Sequence, residues 1–311
     1  MNAPGARGAL LIARSLAGLI LLVTLGVTAT PDGWRQGVLV FGANHGGNWN
    51  LCMWNSRGEL VQLTSSRLDA RTPSIAPDSS RVAYTTSDGG LWLVDLKSRV
   101  TQKLAARFSN GSYGYPAWVT KDLLAYTVYT VTPPTEDSDI YAYSFSEGKQ
   151  RILVRQTGSQ DYANVSPDGQ QVAYMSSVTT TVSGLGTTIT QQLWIASLRT
   201  GKVEQLIPGG SRDTRPAWSP DGKKIAFSSD REGGPDVWVV EVDTKKLAKV
   251  TSGPGEKTDP CWSPDGRQIL FVSTASGRRE LEIVELESGH TKQVRPFGNK
   301  NVEIRDPAWS R

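Results

Sequence analysis

A five-residue turn returning at a near-constant interval constrains this chain more than any other feature. Trp218-Ser219-Pro220-Asp221-Gly222 recurs intact as Trp262-Ser263-Pro264-Asp265-Gly266. Altered copies stand at Ile75-Ala76-Pro77-Asp78-Ser79, Trp118-Val119-Thr120-Lys121-Asp122 and Val165-Ser166-Pro167-Asp168-Gly169, and a shortened one at Trp309-Ser310-Arg311. Successive copies begin 43, 47, 53, 44 and 47 residues apart, the period of a four-stranded propeller blade.

The chemistry of the turn says what surrounds it. Pro fixes φ at the first corner, Asp bonds its own backbone two residues on, and Gly takes the positive φ that other residues resist. A strand therefore precedes each copy and another follows it. The following strand is an apolar, usually small, aromatic run: Val82-Ala83-Tyr84, Leu124-Ala125-Tyr126, Val172-Ala173-Tyr174, Ile225-Ala226-Phe227 and Ile269-Leu270-Phe271. A third run follows, such as Leu91-Trp92-Leu93-Val94 or Val237-Trp238-Val239-Val240, and then a second turn and a fourth strand. Four β-rich runs joined by short turns make one blade.

Near the amino end, Leu39-Val40-Phe41 matches a second strand and Leu51-Cys52-Met53-Trp54 a third, with no first strand ahead of them. The chain closes on a lone first strand, Asp306-Pro307-Ala308-Trp309-Ser310. Pairing the two ends completes a ring without a ragged edge. The expectation is an all-β, six-bladed propeller over residues 31–311, closed by its C-terminal strand.

Residues 1–30 differ from the rest. Arg7 and Arg14 precede an apolar stretch, Leu16 to Val27, followed by the small-residue pattern Val27-Thr28-Ala29. This reads as a signal peptide, with an uncleaved signal anchor as the alternative, and either places the propeller across a membrane, periplasmic or extracellular. The net charge is +4, and 4 minus the two segment arginines leaves +2 for the remainder. Lys and Arg are scattered without a contiguous run, which excludes a nucleic-acid reading. Cys52 and Cys261 fall on different blades and are expected as buried free thiols.

These residues resemble the TolB-like, WD-repeat-like β-propeller family. The densest match runs from Arg215-Pro216-Ala217-Trp218-Ser219-Pro220-Asp221-Gly222 through Phe227-Ser228-Ser229-Asp230-Arg231 to Asp236-Val237-Trp238, and the resemblance covers about residues 34–311. It implies an exported propeller with protein partners in the cell envelope. The α/β domain that precedes the propeller in TolB itself is expected to be missing, since about 30 residues lie ahead of the first strand.

Catalytic signatures are sparse. The only histidines are His45 and His290, in loops expected on opposite faces, so no shared metal and no cofactor is expected. Some propeller lyases acting on uronate sugars use a His-rich metal pocket, which this chain cannot build. Glu136-Asp137-Ser138-Asp139 reads as a solvated loop, and Asp78, Asp168, Asp221 and Asp265 are explained by their turns. Trp118, Trp218, Trp262 and Trp309 recur at one blade position and read as core between blades.

Positions where the repeats disagree are those the fold does not dictate. Three residues before each copy stand Thr72, Tyr115, Tyr162, Arg215, Asp259 and Asp306; two residues earlier stand Ala70, Tyr113, Gln160, Asp213, Lys257 and Ile304. Placed in the loops entering each innermost strand, they give one mouth of the central channel an aromatic side (Tyr113, Tyr115, Tyr162). The opposite side is charged (Asp213, Arg215, Lys257, Asp259, Arg305, Asp306). Two long segments, Thr130 to Asp139 and Ser176 to Gln191, belong to the same face, the second as a projecting hairpin. The expectation is a non-catalytic, monomeric, envelope-associated adaptor that binds a protein or extended peptide at this mouth. The alternative is a small-molecule or glycan pocket with hydrolase or lyase activity using Asp213, Asp259 or Asp306.

Overall fold

The computed structural model describes residues 24–27, 37–104, 111–132, 135–182, 186–208, 211–298 and 300–310. Each repeat folds as one antiparallel sheet. Blade 1 comprises β1 (Thr24–Val27), β2 (Val38–Asn44), β3 (Asn50–Asn55) and β4 (Glu59–Gln62). Blade 2 holds β5 (Ala70–Ile75), β6 (Arg81–Thr86), β7 (Leu91–Asp95) and β8 (Thr101–Lys103). Blade 3 holds β9 (Gly111–Trp118), β10 (Leu123–Thr132), β11 (Thr135–Ser144) and β12 (Lys149–Val154). Blade 4 holds β13 (Ser159–Val165), β14 (Gln171–Val182), β15 (Gly186–Ser197) and β16 (Val203–Gln205). Blade 5 holds β17 (Asp213–Trp218), β18 (Lys224–Ser229), β19 (Asp236–Glu241) and β20 (Leu247–Lys249). Blade 6 holds β21 (Lys257–Trp262), β22 (Gln268–Ser273), β23 (Glu280–Glu285) and β24 (Thr291–Val294), and β25 (Glu303–Trp309) returns to blade 1.

The closure expected from the two incomplete ends is present. β25 lies beside β2 in the register Leu39↔Trp309 and Val40↔Ala308, giving blade 1 its innermost strand. The Val38 N–H donates to Ser310 Oγ at 2.7 Å, fastening the seam. β1 adds a fifth, outermost strand to this sheet by pairing with β4. The remainder of the segment read as a signal lies outside the described residues.

The repeated turn is built as its residues require. Ser219 Oγ donates to Asp221 Oδ1 at 2.6 Å, the same carboxylate accepts the Lys223 N–H, and Gly222 sits at φ 70°. Ser263 and Asp265 repeat the arrangement. Tryptophans at the end of three innermost strands tie their blades to the one before. Trp118 Nε1 donates to Ser74 O, Trp218 Nε1 to Asn164 O and Trp262 Nε1 to Ala217 O, at 2.9–3.1 Å.

Alternation along the second strand explains its small-aromatic signature. Side chains of neighbouring residues point to opposite faces of a sheet. Phe227 packs toward blade 4 among Ala173, Leu193 and Ile195, whereas Ala226 faces blade 6 beside Phe271. Tyr126 and Ala125, Tyr174 and Ala173, and Tyr84 and Ala83 divide in the same sense. Six apolar clusters result, one at each blade-to-blade interface.

Cys52 and Cys261 are free, as expected, but they belong to the same cluster between blades 1 and 6, and Cys261 is only partly buried. Burial pushes the Cys52 thiol up to about 12, leaving it unreactive. Glu136 to Asp139 is not a loop: these residues lie in β11, which pairs with β10 in an extended hairpin. The Pro133-Pro134 pair lies outside the described residues. Among the described residues no helix is long and apolar enough to cross a membrane.

Phe227 is fully buried at such an interface. Phe227→Ala is expected to destabilise the protein by about 3–5 kcal/mol, read as a lowered urea midpoint. Ala226→Phe, which adds volume without a cavity to take it, is expected to lower the same midpoint.

Candidate functional site

Each innermost strand carries a bulge where it passes the axis. In blade 5 the register runs Asp213↔Ser229 and Thr214↔Ser228, then resumes at Ala217↔Ala226, so Arg215 and Pro216 together oppose one residue. The other five innermost strands shift at the equivalent place. At every bulge a residue other than Gly adopts positive φ: Thr72 (47°), Tyr115 (45°), Tyr162 (55°), Arg215 (56°), Asp259 (55°) and Asp306 (49°). Such a conformation costs on the order of 1–3 kcal/mol per residue. Pro follows in five of the six, and a proline inside a strand is tolerated at a bulge because it has no N–H to give the ladder. The sequence reading placed these six in entry loops; they lie within the innermost strands instead, and line the central channel. The fixed Pro at the next position was the available signal.

The channel encloses a cavity of about 210 Å³ lined by all six bulge residues and extending toward Pro77, Pro220 and Pro264 of the repeated turns. Arg215 is its centre. Its Nε lies 3.0 Å from Asp259 Oδ1 and its Nη1 3.0 Å from Asp306 Oδ1, two ion pairs on one guanidinium. Its guanidinium carbon lies 4.8 Å from the Tyr115 ring centroid and 5.0 Å from that of Tyr162, and the two rings meet at 4.1 Å. Asp306 accepts the Thr72 N–H through its second oxygen at 3.2 Å. Burial alone lowers the pKa of Arg215, but Asp259 and Asp306 outweigh it and hold the guanidinium charged. Burial raises the Asp259 carboxyl, Arg215 opposes the rise, and Asp306 adds to it.

Five predicted site residues therefore converge: Tyr115, Tyr162, Arg215, Asp259 and Asp306. Four do not. Asp213 is buried and accepts from Ser211, Ser229 and Arg231, tying the turn after β18 to β17. Lys257 is 3% exposed and donates to the carbonyls of Gly253, Pro254 and Gly255. Tyr113 packs edge-on to Tyr126 between blades 2 and 3. Arg305 stacks on Trp49 at 4.1 Å and donates to Ala70 O; burial, partly offset by Asp306, pulls it down to about 10.

Sequence reasoning missed Asp161 and Tyr129. Tyr129 Oη donates to Asp161 Oδ1, directly beside Tyr162. Gly114 makes room: a Cβ there would stand 2.7 Å from Tyr129 Cε2. Burial raises Asp161 to about 6, against the hydrogen bonds from Tyr129 and the Tyr162 N–H. The signal was Gly114 on the first strand, diagonal to Tyr129 on the second. No cluster of three metal-ligating side chains occurs among the described residues.

The comparisons with known proteins agree with this architecture. A family model described as the TolB beta propeller domain matches residues 120–251 and again 190–311. A TolB homolog of Chlorobium chlorochromatii is 29% identical over 139 residues, 44% of this chain and 31% of its own. The uncharacterized peptidase YuxL of Bacillus subtilis is 42% identical over 67 residues, 22% of this chain and 10% of its own. The matches thus span a third or less of those relatives. The crystal structure of TolB from Acinetobacter baumannii superposes with a TM-score of 0.74 at 20% identity, covering 89% of this chain and 67% of that one.

Asp161 gives the site a pH signature. Its folded-state value lies above the ordinary 3.8, so the fold holds the proton more tightly than the unfolded chain does. The cost of ionising it is absent below about pH 4, grows up to about pH 6 and persists above. Asp161→Asn, which keeps an acceptor for Tyr129, is expected to stabilise the protein by about 1–3 kcal/mol at pH 7.5 and by nothing measurable at pH 4, in paired thermal melts. Gly114→Ala is expected to displace Tyr129 and lower the melting temperature at both pH values.

Proposed function

The chain belongs to the TolB β-propeller family, and from that premise we propose that it is an exported, non-catalytic adaptor that binds a protein or extended peptide at its central channel. The carrying observation is the Arg215 assembly: a guanidinium faced by Tyr115 and Tyr162, paired with Asp259 and Asp306, and open to the cavity with 27% of its side chain exposed. Aromatic and arginine side chains at a concave, partly dry site are the groups that most often dominate protein recognition. Each is held in place before a partner arrives, so little ordering entropy is lost on binding.

The same pairing argues against acid-base chemistry. Asp259 and Asp306 are both committed to Arg215, and Asp213 is buried against Arg231 away from the channel. A general acid or base needs a carboxyl free to exchange its proton with a substrate. Reading residues 1–30 as an export signal, we place the propeller in the envelope, periplasmic or extracellular.

The protein purified from an exporting host, immobilised and exposed to envelope extract, is expected to retain a specific partner. A Tyr115→Ala, Tyr162→Ala, Arg215→Ala variant that still melts cooperatively is expected to lose it. Equal retention by both proteins removes the channel from the binding site, and retention by neither removes the adaptor reading.

A further inference from the structure

The hairpin of β14 and β15 outruns its blade. β13 pairs with β14 only as far as Ser159↔Ser177, and β16 pairs with β15 only over Trp194 to Ala196. Beyond Ser177 the two long strands continue together from Val178↔Thr190 to Val182↔Gly186. Along the other side of β14, from Val178 to Val182, no strand lies among the described residues. Among the described residues, that edge has no strand beside it over five residues, about 17 Å.

Edges of this kind are a hazard that natural sheets blunt with charge, brevity or cover. The outermost strands of blades 2 to 6 are blunted in these ways. β8, β16 and β20 are three residues long and carry Lys103, Glu204 and Lys249. β12 carries Lys149 and Arg151, β24 carries Lys292, and β4 is covered by β1. The stretch from Ser176 to Gln192 contains no charged residue in a chain that is 21% charged. Nothing in its sequence keeps another strand away.

The sequence of the edge also selects its occupant. Ser177-Val178-Thr179-Thr180-Thr181-Val182-Ser183 reads identically in both directions. Laid antiparallel against its own copy about Thr180, it sets Val178 opposite Val182, Thr179 opposite Thr181, and Thr180 opposite itself. Cross-strand pairs of β-branched residues and of threonines are favourable, and with no charges present the register carries no repulsion. The result is a continuous four-stranded sheet running through two ribbons, enough strands to be stable where an isolated two-stranded one is marginal. The arrangement is closed and two-fold, since both copies use the same patch. We propose that the free edge of β14 is a self-association site through which two copies of this chain pair antiparallel about Thr180. This goes beyond the channel reading and sets a dimer against the expected monomer.

Sedimentation velocity over a concentration series tests it. The protein from an exporting host is expected to show a concentration-dependent monomer–dimer equilibrium. Thr179→Lys/Thr181→Lys sets lysines opposite one another in the dimer and is expected to weaken association by about tenfold or more. Thr179→Glu/Thr181→Glu is expected to do the same. Because the substitutions lie beyond the blade, both variants are expected to melt with the parent. An equimolar mixture of the two is expected to restore the dimer through opposite-charge pairs. A parent that stays monomeric throughout the series overturns the proposal, as does a lysine variant that dimerises like the parent, or a mixture that shows no restoration.

Discussion

No blade of this protein can cover its own aromatic residue. The ring on each second strand lies against the blade before it, while the small residue beside it leaves space for the ring of the blade after. Each interface is thus one half of a pair of complementary surfaces, and the set is complete only when the ring closes. Stability in such an array is a property of neighbouring repeats, not of repeats taken singly. The tryptophans that donate across three of the interfaces add direction to what is otherwise non-directional packing.

Closing the ring forces six innermost strands to pass close to one axis, and the bulges are how they do it. Each holds a residue at positive φ and aims it at the channel. The strain there is common to all six positions, so packing elsewhere supports it whatever the side chain is. Chemistry at the axis is therefore separable from folding: Thr, Tyr, Arg and Asp occupy equivalent places, and their differences produce the Arg215 assembly.

The fold was legible because local signals repeat. Pro, Asp and Gly in one turn fixed the hairpins, and two incomplete ends fixed the closure. The site was legible only where identity varied between repeats at a position that faces the axis, which found Tyr115, Tyr162, Arg215, Asp259 and Asp306. The bulge took away Tyr113, Asp213 and Lys257: two residues earlier, where the regular ladder still holds, is a different environment. Lys257 became a cap for three carbonyls, which depends on a turn whose path no residue pattern announces. Asp161 escaped because its partner, Tyr129, reaches it across a strand only where Gly114 omits a side chain.

The seam between β2 and β25 joins Leu39 to Trp309, nearly the whole length of the chain apart. Bringing such distant segments together costs about 5 kcal/mol in loop-closure entropy, owed before any contact at the seam is made. Folding from the amino end can stack blades 2 to 6 as they emerge, yet blade 1 must wait with an open inner edge until β25 arrives. Strand β25 is in this sense a latch: whatever keeps it from β2 keeps the whole ring open.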